Sequence, residues 1–152
     1  MTTTEKAPRF VQLGNILTTT LLRAGLPLVG PGLVIGDYPL YLLTVRGRKS
    51  GQPRTVPLVI IERNGKRYVG SPYGIVDWVR NLRAAGEAIL TRGRRAETVT
   101  ANELTPGEAA LVLRADIKRN PFARYYGVTA DSSLEEFERA AASHPLFVLE
   151  SK

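Results

Sequence analysis

A run of nine residues near the middle of the chain, 46–54, holds the densest set of side chains that could do chemistry. It reads Arg-Gly-Arg-Lys-Ser-Gly-Gln-Pro-Arg and lies between two apolar segments. The run contains four cations, one hydroxyl and two glycines, and the glycines would let the backbone approach a ligand. These groups are suited to binding a phosphate or a carboxylate. The spacing matches neither the phosphate-binding loop that ends in Gly-Lys-Ser/Thr nor the dinucleotide fingerprint of alternating glycines. The run predicts an anion site, with a solvated hairpin connection as the alternative.

Composition narrows the classes of function. The chain has 152 residues and a formal net charge of +7 at pH 7, which suits one domain with an anionic partner. It has no cysteine and a single histidine, His144, so disulfides, a cysteine nucleophile and multi-histidine metal centres are excluded and we expect no metal. The cations lie in turns without interleaved aromatic residues, which disfavours nucleic-acid binding. The polar N-terminus lacks the apolar core of a secretory signal, and we expect a cytoplasmic protein.

The N-terminal part, residues 1–36, is expected to be a helix with a connecting segment. Apolar residues recur on one face over 10–23. That face is expected to pack on the protein's own domain or on a partner subunit, so the protein is a monomer or a homodimer. Peripheral membrane contact through this helix is the alternative.

Residues 37–152 are expected to form one α+β domain. Hairpins, including an Asn-Gly turn at 64–65, outnumber regular β-helix-β units, and this predicts a six-stranded, mostly antiparallel β-barrel with flanking helices. Helix signals include an N-terminal capping box at Thr105 and another at Ser133. The predicted strands cover 37–45, 55–62, 66–71, 87–91, 97–103 and 145–150, and the predicted helices cover 77–85, 106–119 and 133–143.

The segment 41–58, Tyr-Leu-Leu-Thr-Val-Arg-Gly-Arg-Lys-Ser-Gly-Gln-Pro-Arg-Thr-Val-Pro-Leu, closely resembles the opening block of the deazaflavin-dependent nitroreductases of actinobacteria. The resemblance continues through 68–71, 78–84 and 145–150. It implies the split β-barrel of flavin-binding reductases and coenzyme F-420, a deazaflavin with a phosphate and an oligoglutamate tail. The implied reaction is hydride transfer to a small-molecule acceptor: a quinone, a nitroaromatic compound or an activated alkene. FMN or FAD is the alternative cofactor, and a non-catalytic carrier of a deazaflavin, a flavin or a lipid-like ligand is the alternative function.

The resemblance also implies roles for particular residues. The positions that match the family's phosphate ligands are Arg48, Lys49, Ser50, Gly51 and Arg54. The positions expected beside the deazaflavin ring are Pro57, Leu58, Ser71, Pro72, Tyr73, Gly74 and Trp78. Core packing is the alternative role for Trp78, and Asn81 is expected to tie a neighbouring loop.

One departure from the family affects the expected acceptor. Relatives often carry a lysine and a longer loop after the serine, whereas here the loop is Pro72-Tyr73-Gly74-Ile75-Val76-Asp77. We therefore expect a pocket that is less cationic and more aromatic than in those relatives, with room for a flavin other than F-420. Tyr73 and Tyr125 are the expected catalytic residues, with Tyr125 as a proton donor because an ordinary phenol, pKa about 10, is protonated at pH 7. Packing explains Tyr125 equally well. The arginines at 92, 94 and 95 are expected to form a solvated turn, and His144 is expected in another turn.

Overall fold

The structure is a computed structural model that describes residues 34–152. The predicted helix over 10–23 and the contact expected for its apolar face lie outside the described residues. Within 34–152, no helix is both long and apolar enough to cross a membrane.

Eight strands and three α-helices make up the described residues, which confirms the predicted α+β class. The elements are β1 (Val34–Ile35), β2 (Tyr38–Arg46), β3 (Pro53–Val59), β4 (Ile61–Arg63), β5 (Lys66–Gly70), α1 (Asp77–Ala85), β6 (Glu87–Arg92), β7 (Arg95–Glu103), α2 (Pro106–Asp116), a 3-10 turn (Ala123–Tyr126), α3 (Leu134–Ser143) and β8 (Leu146–Ser151). The predicted number of strands, six, is too low for two reasons. The short β1 was not predicted, and the single strand predicted over 55–62 is divided into β3 and β4 at Ile60.

The division at Ile60 lets the sheet curl into a split barrel. The strands pair antiparallel in the order β1-β2-β6-β7-β8-β5-β4, and β3 also pairs with β2, along Leu40 to Arg46. Because β3 continues into β4, one stretch of chain connects the two edges of the sheet. Ile60 is fully buried at this corner, and its N–H donates to the carbonyl of Pro39 at 3.0 Å.

The hairpin between β4 and β5 turns through two residues and was predicted correctly. Asn64 and Gly65 both have positive φ, 51° and 74°, which a two-residue turn of this kind requires. Arg63 faces Lys66 directly across the turn. The strands on either side are therefore held in one register.

Alternate residues of the strands point inward and form the barrel core. Helix α1 contributes Val79 and Leu82 to this core, and Trp78 and Ala85 are partly buried and pack against it. The buried residues of the core are Leu43, Val45, Ile60, Val69, Val79, Leu82, Ala88, Leu90, Val99, Ala101, Phe147 and Leu149.

Helices α2 and α3 pack on each other outside the barrel, and both begin as predicted. In α2, the Thr105 hydroxyl accepts from the Glu108 N–H at 3.3 Å, and the Glu108 carboxylate accepts from the Thr105 N–H at 3.3 Å. Ser133 and Glu136 repeat this capping box in α3. Helix α2 ends at Asp116, three residues before the predicted end. The Asp116 side chain makes buried hydrogen bonds with Tyr38 and Asn120.

The capping box of α2 can be tested through stability. We expect Thr105→Ala to lower the free energy of unfolding by about 1 kcal/mol, because the Glu108 N–H loses its acceptor. Thr105→Ser keeps the acceptor and should remain within a few tenths of a kcal/mol of the unmodified protein. Urea unfolding of the three proteins measures the difference. Equal destabilisation by alanine and serine would show that the threonine methyl group, not the cap, is what matters.

Candidate active site

The basic run forms a closed turn between β2 and β3. Two backbone hydrogen bonds span it: Gly47 N–H donates to the Gln52 carbonyl at 2.8 Å, and Gly51 N–H donates to the Gly47 carbonyl at 2.8 Å. Within the turn, the Ser50 hydroxyl accepts from the Gln52 N–H at 3.2 Å. The loop that carries the cations therefore has a defined backbone conformation. We call residues 47–54 the basic loop.

Both glycines of the basic loop are required by its geometry. A Cβ on Gly47 would lie 2.7 Å from the Ser50 hydroxyl oxygen and 3.1 Å from the Gln52 carbonyl oxygen. Gly51 has a φ of +71°, a conformation that residues with a Cβ rarely adopt. The two glycines in the sequence pattern thus serve the turn itself, in addition to leaving backbone accessible.

Asn81 fixes the basic loop to helix α1. Its side-chain oxygen accepts from the Arg48 backbone N–H at 3.1 Å and from Arg48 Nη1 at 2.8 Å. Asn81 is 6% exposed, and Arg48 Nη2 also lies 3.4 Å from Asp77 Oδ1. The expected tie between Asn81 and a neighbouring loop is confirmed, and that loop is the cationic one.

A cleft of about 860 Å³ lies between the basic loop, β3 and the start of α1. Apolar atoms of Val45, Val56 and Trp78 line part of it. Four cationic side chains and one carboxylate complete its charged surface: Arg48, Lys49, Arg54, Arg80 and Asp77. The cleft therefore combines an excess of three positive charges with an apolar wall. We call it the cationic cleft.

The start of α1 adds to the positive potential of the cationic cleft. The N-cap residue, Val76, lines the cleft and provides no side-chain hydrogen bond to the first turn of the helix. Unpaired N–H groups at a helix N-terminus carry partial positive charge and favour anions. Asp77 partly offsets this, but its side chain is 84% exposed, so water and salt screen it.

A second cleft, of about 960 Å³, lies on the opposite side of the basic loop. The two clefts share residues 47–50 of the loop, and Arg46 and Glu87 line the second. Glu87 is paired with Lys152 at 2.6 Å. The basic loop is thus a ridge whose cations are accessible from both sides.

Tyr73 and Tyr125, both predicted to be catalytic, contact each other. Their ring centroids are 4.9 Å apart in an edge-to-face arrangement, and Phe122 lies 6.5 Å from each of them. Arg124 lies over the Tyr125 ring at 4.8 Å, and its Nη2 donates to the Tyr125 hydroxyl at 2.8 Å. Burial, with the neighbouring Tyr125, raises the pKa of Tyr73 above its usual value, so its hydroxyl stays protonated at neutral pH. We call Tyr73, Phe122 and Tyr125 the aromatic cluster.

Ser71 folds the loop that carries Tyr73. Its hydroxyl donates to the Gly74 carbonyl, its N–H donates to the Pro145 carbonyl at 3.0 Å, and its own carbonyl accepts from Gly74 N–H at 3.2 Å. Ser71 is 1% exposed. The Ser71 N–H and hydroxyl are therefore engaged within the protein, and the expected position of Ser71 beside the cofactor ring stays a prediction.

The predicted site residues fall into separate regions of the structure. All five predicted phosphate ligands line at least one of the two clefts, and Trp78 joins them in the cationic cleft. The other six residues expected beside the ring line neither cleft; among them, Leu58 packs against the barrel core. Those residues are Pro57, Leu58, Ser71, Pro72, Tyr73 and Gly74. The segment 74–76 connects the aromatic cluster to the cationic cleft, because Val76 lines the latter.

Sequence reasoning missed two residues of the cationic cleft, Asp77 and Arg80. Their spacing of three on a predicted helix, directly after the aromatic loop, was the available signal.

The sequence analysis also misplaced Arg92, which was expected in a solvated turn. Arg92 is half-buried, its guanidinium carbon lies 5.5 Å from the Tyr41 ring centroid, and its Nε is buried without a partner among residues 34–152. The turn itself is only two residues long, so Arg92 belongs to β6 and faces inward.

Residues 17–134 match the family model of the F420H(2)-dependent quinone reductases. The chain belongs to this family. Membership confirms the predicted enzyme class, an oxidoreductase that uses coenzyme F-420.

Solved structures agree with this assignment. A structure described as an F420-H2 dependent reductase is 27% identical, with a TM-score of 0.54, over 78% of this chain and 100% of that one. A structure described as a domain-swapped dimer is 26% identical, with a TM-score of 0.55, over 93% of this chain and 97% of the other. A putative 5-nitroimidazole antibiotic resistance protein from Bacteroides thetaiotaomicron, 12% identical with a TM-score of 0.52 over 76% of this chain and 74% of that one, shares the fold.

The residues of the cationic cleft fit such a cofactor. Guanidinium and ammonium donors are the groups that bind phosphate and carboxylate, and four such side chains line the cleft. The apolar side chains of Val56 and Trp78 suit a flat ring system. Lys49 and Arg54 make no ion pair with any residue in 34–152, so their charges are available to a ligand.

The charges of the basic loop can be tested by titration with F-420. We expect Lys49→Ala and Arg54→Ala each to weaken binding by about 1.5–3 kcal/mol, the usual contribution of a hydrogen bond to a charged group. Arg63→Ala, in the exposed hairpin between β4 and β5, is the matched control and should leave the affinity unchanged. Fluorescence titration measures all three dissociation constants. Unchanged affinity in both loop variants would remove the phosphate site from this loop.

Proposed function

We propose that this protein reduces a quinone with reduced F-420, holding the cofactor's phosphate in the cationic cleft and the acceptor at the aromatic cluster. The observation that carries the proposal is the basic loop itself, in which the buried Asn81 holds the backbone N–H and the guanidinium of Arg48 against α1. A loop held in this way presents charge to an anion without first being ordered. Less of the binding free energy is then lost to conformational entropy.

The residues of the cationic cleft bind and orient. Lys49 and Arg54 pair with the phosphate, and the uncapped start of α1 adds its N–H groups. Val56 and Trp78 exclude water from the ring system. When bound, F-420 supplies a hydride, which is the chemistry the protein's side chains lack.

The aromatic cluster completes the acceptor's reduction with a proton. A quinone that has accepted a hydride carries a negative charge on one oxygen, and a proton is needed there to form the quinol. Tyr125 donates the proton from its hydroxyl and is left as a phenolate, which solvent then reprotonates. Arg124 supports this role, because the hydrogen bond from its Nη2 to the Tyr125 oxygen, at 2.8 Å, stabilises the negative charge that develops there.

Tyr73 sets the acceptor preference in this proposal. It stands where many relatives have a lysine, so the cluster offers aromatic edges and faces in place of a mobile cation. Flat, uncharged acceptors gain from stacking and from exclusion of water at such a surface. The family description supports a quinone over a nitroaromatic compound or an activated alkene.

The proposal is tested by following the oxidation of reduced F-420 with three acceptors at equal concentration: a naphthoquinone, a nitroaromatic compound and an activated alkene. We expect the highest kcat/KM for the quinone. Tyr125→Phe should lower kcat for it by about 100-fold or more, the usual contribution of a general acid, without changing the Kd for F-420. An unchanged kcat in this variant would remove Tyr125 from proton transfer.

The acceptor preference is tested at position 73. Tyr73→Lys should raise kcat/KM for a carboxylated quinone relative to the matched neutral quinone, because a cation at short range attracts the carboxylate. Tyr73→Phe keeps the aromatic ring without the hydroxyl and should keep the preference for the neutral compound. The ratio of the two kcat/KM values is the measurement. Equal ratios in all three proteins would place Tyr73 away from the acceptor.

The proposal extends to assembly as a homodimer. One similar structure, 26% identical to this chain, is described as a domain-swapped dimer. Light scattering of the full chain distinguishes dimer from monomer, and a mass that stays monomeric at high protein concentration would contradict this part of the proposal.

A further inference from the structure

A buried polar cluster that takes no part in the proposed chemistry connects the barrel to the aromatic cluster. It consists of Tyr38 at the start of β2, Asp116 at the end of α2, and Asn120 in the turn that follows. These side chains are 4%, 2% and 8% exposed. The Tyr38 hydroxyl donates to Asp116 Oδ1, and Asn120 Nδ2 donates to Asp116 Oδ2 at 2.9 Å. Both carboxylate oxygens of Asp116 are therefore occupied.

Asn120 carries the connection onward to the turn that holds Tyr125. Its side-chain oxygen accepts from the Phe122 N–H at 2.9 Å, and its backbone carbonyl accepts from the Ala123 N–H at 3.1 Å. The Phe122 carbonyl in turn accepts from the Tyr125 N–H at 3.0 Å. Hydrogen bonds thus run without interruption from the first strand of the barrel core to the backbone of Tyr125.

Burying this polar cluster has a desolvation cost, which indicates that it serves to orient the segments it joins and not merely to fill space. Removing a carboxylate from water is unfavourable unless strong donors replace the lost hydration, and an apolar side chain would fill the same space without that cost. Leu113 and Ile117, which are close to Asp116 in the chain, are buried in an apolar cluster together with Phe137. Hydrogen bonds fix angles that apolar contacts leave free.

We propose that Asp116 and Asn120 are positioning residues for the reductase reaction, which hold the 3-10 turn so that the Tyr125 hydroxyl lies at the acceptor beside Tyr73. The inference rests on the proposed function, in which Tyr125 donates the proton. Tyr38 anchors the arrangement to the barrel, and the edge-to-face contact between Tyr73 and Tyr125 is its result. Neither Asp116 nor Asn120 contacts the acceptor in this arrangement.

The kinetic test uses a double-mutant cycle. Asn120→Ala removes the acceptor for the Phe122 N–H and a donor to Asp116, and should lower kcat for the quinone about 10-fold while the Kd for F-420 stays within twofold. The double variant of Asn120→Ala with Tyr125→Phe should be no slower than Tyr125→Phe alone, because a misplaced hydroxyl cannot matter once it has been removed. Leu113→Ala, a cavity variant in the same apolar cluster, is the control and should keep kcat unchanged at a temperature where it is folded.

A second readout does not depend on turnover. With 3-fluorotyrosine at position 125, the fluorine resonance should shift or broaden in Asn120→Ala and in Asp116→Asn, but not in Leu113→Ala. Asp116→Asn retains the size of the side chain and serves if Asn120→Ala does not fold. Its amide still accepts from Tyr38 but has lost one of the two acceptor oxygens.

The possible results separate the two proposals. Additive losses in the double-mutant cycle, an unmoved fluorine resonance, or an equal loss of kcat in Leu113→Ala would overturn the positioning role. A wild-type protein that binds F-420 but reduces no quinone would instead overturn the proposed function, and the fluorine measurement would still report whether Asn120 positions Tyr125.

Discussion

The pair of hydrogen bonds from Arg48 to Asn81 is the interaction on which the cationic cleft depends. Cations that lie close together on a loop repel one another, and without an attachment the loop would move to separate them. A carboxylate at position 81 would hold Arg48 more strongly but would cancel its charge. The buried amide holds the loop through one oxygen and leaves the charge of Arg48 uncompensated by Asn81. Among the described residues, Asp77 is the one carboxylate that lines the cleft, and its side chain is 84% exposed.

Helix α1 links this attachment to the stability of the barrel. Val79 and Leu82 are fully buried in the barrel core, while Asn81, between them in sequence, turns toward the basic loop. At roughly 1.5–3 kcal/mol for each large apolar side chain that is fully buried, the core fixes the helix far more strongly than the loop could. Gly86 ends the helix with a φ of 70°, and its N–H donates to the Leu82 carbonyl at 2.8 Å. The position of the cationic cleft is thus set by hydrophobic packing on the opposite side of the same helix.

Turns and helix caps, which depend on residues close together in sequence, could be predicted, whereas the pairing of distant segments could not. Asn64-Gly65 and the capping boxes at Thr105 and Ser133 act within four residues, and the structure has each of them as predicted. The division of the strand at Ile60 depends on the distance between two edges of a barrel, which no local pattern encodes. Arg92 was expected in a solvated turn, but the turn holds only two residues, which leaves Arg92 in β6 on the same face as the buried Ala88 and Leu90. Charge and glycine content identified the basic loop, whereas Arg124 became relevant only through its contact with Tyr125.

The separation of the cationic cleft from the aromatic cluster has a consequence for how this enzyme selects its acceptor. In the proposed function, the cofactor's anionic groups are bound by a loop that is fixed to α1, and the acceptor is contacted by side chains from two other segments, the loop after β5 and the 3-10 turn. Residues 74–76 connect the two regions, and Gly74 there adopts a φ of 85°. Substitutions at the aromatic cluster can therefore change the acceptor without disturbing the phosphate ligands. On the resemblance to the family, the Pro72-Tyr73 pair stands where many relatives have a lysine. In the proposed function such a change alters the charge offered to the acceptor and leaves the basic loop and its attachment to Asn81 intact.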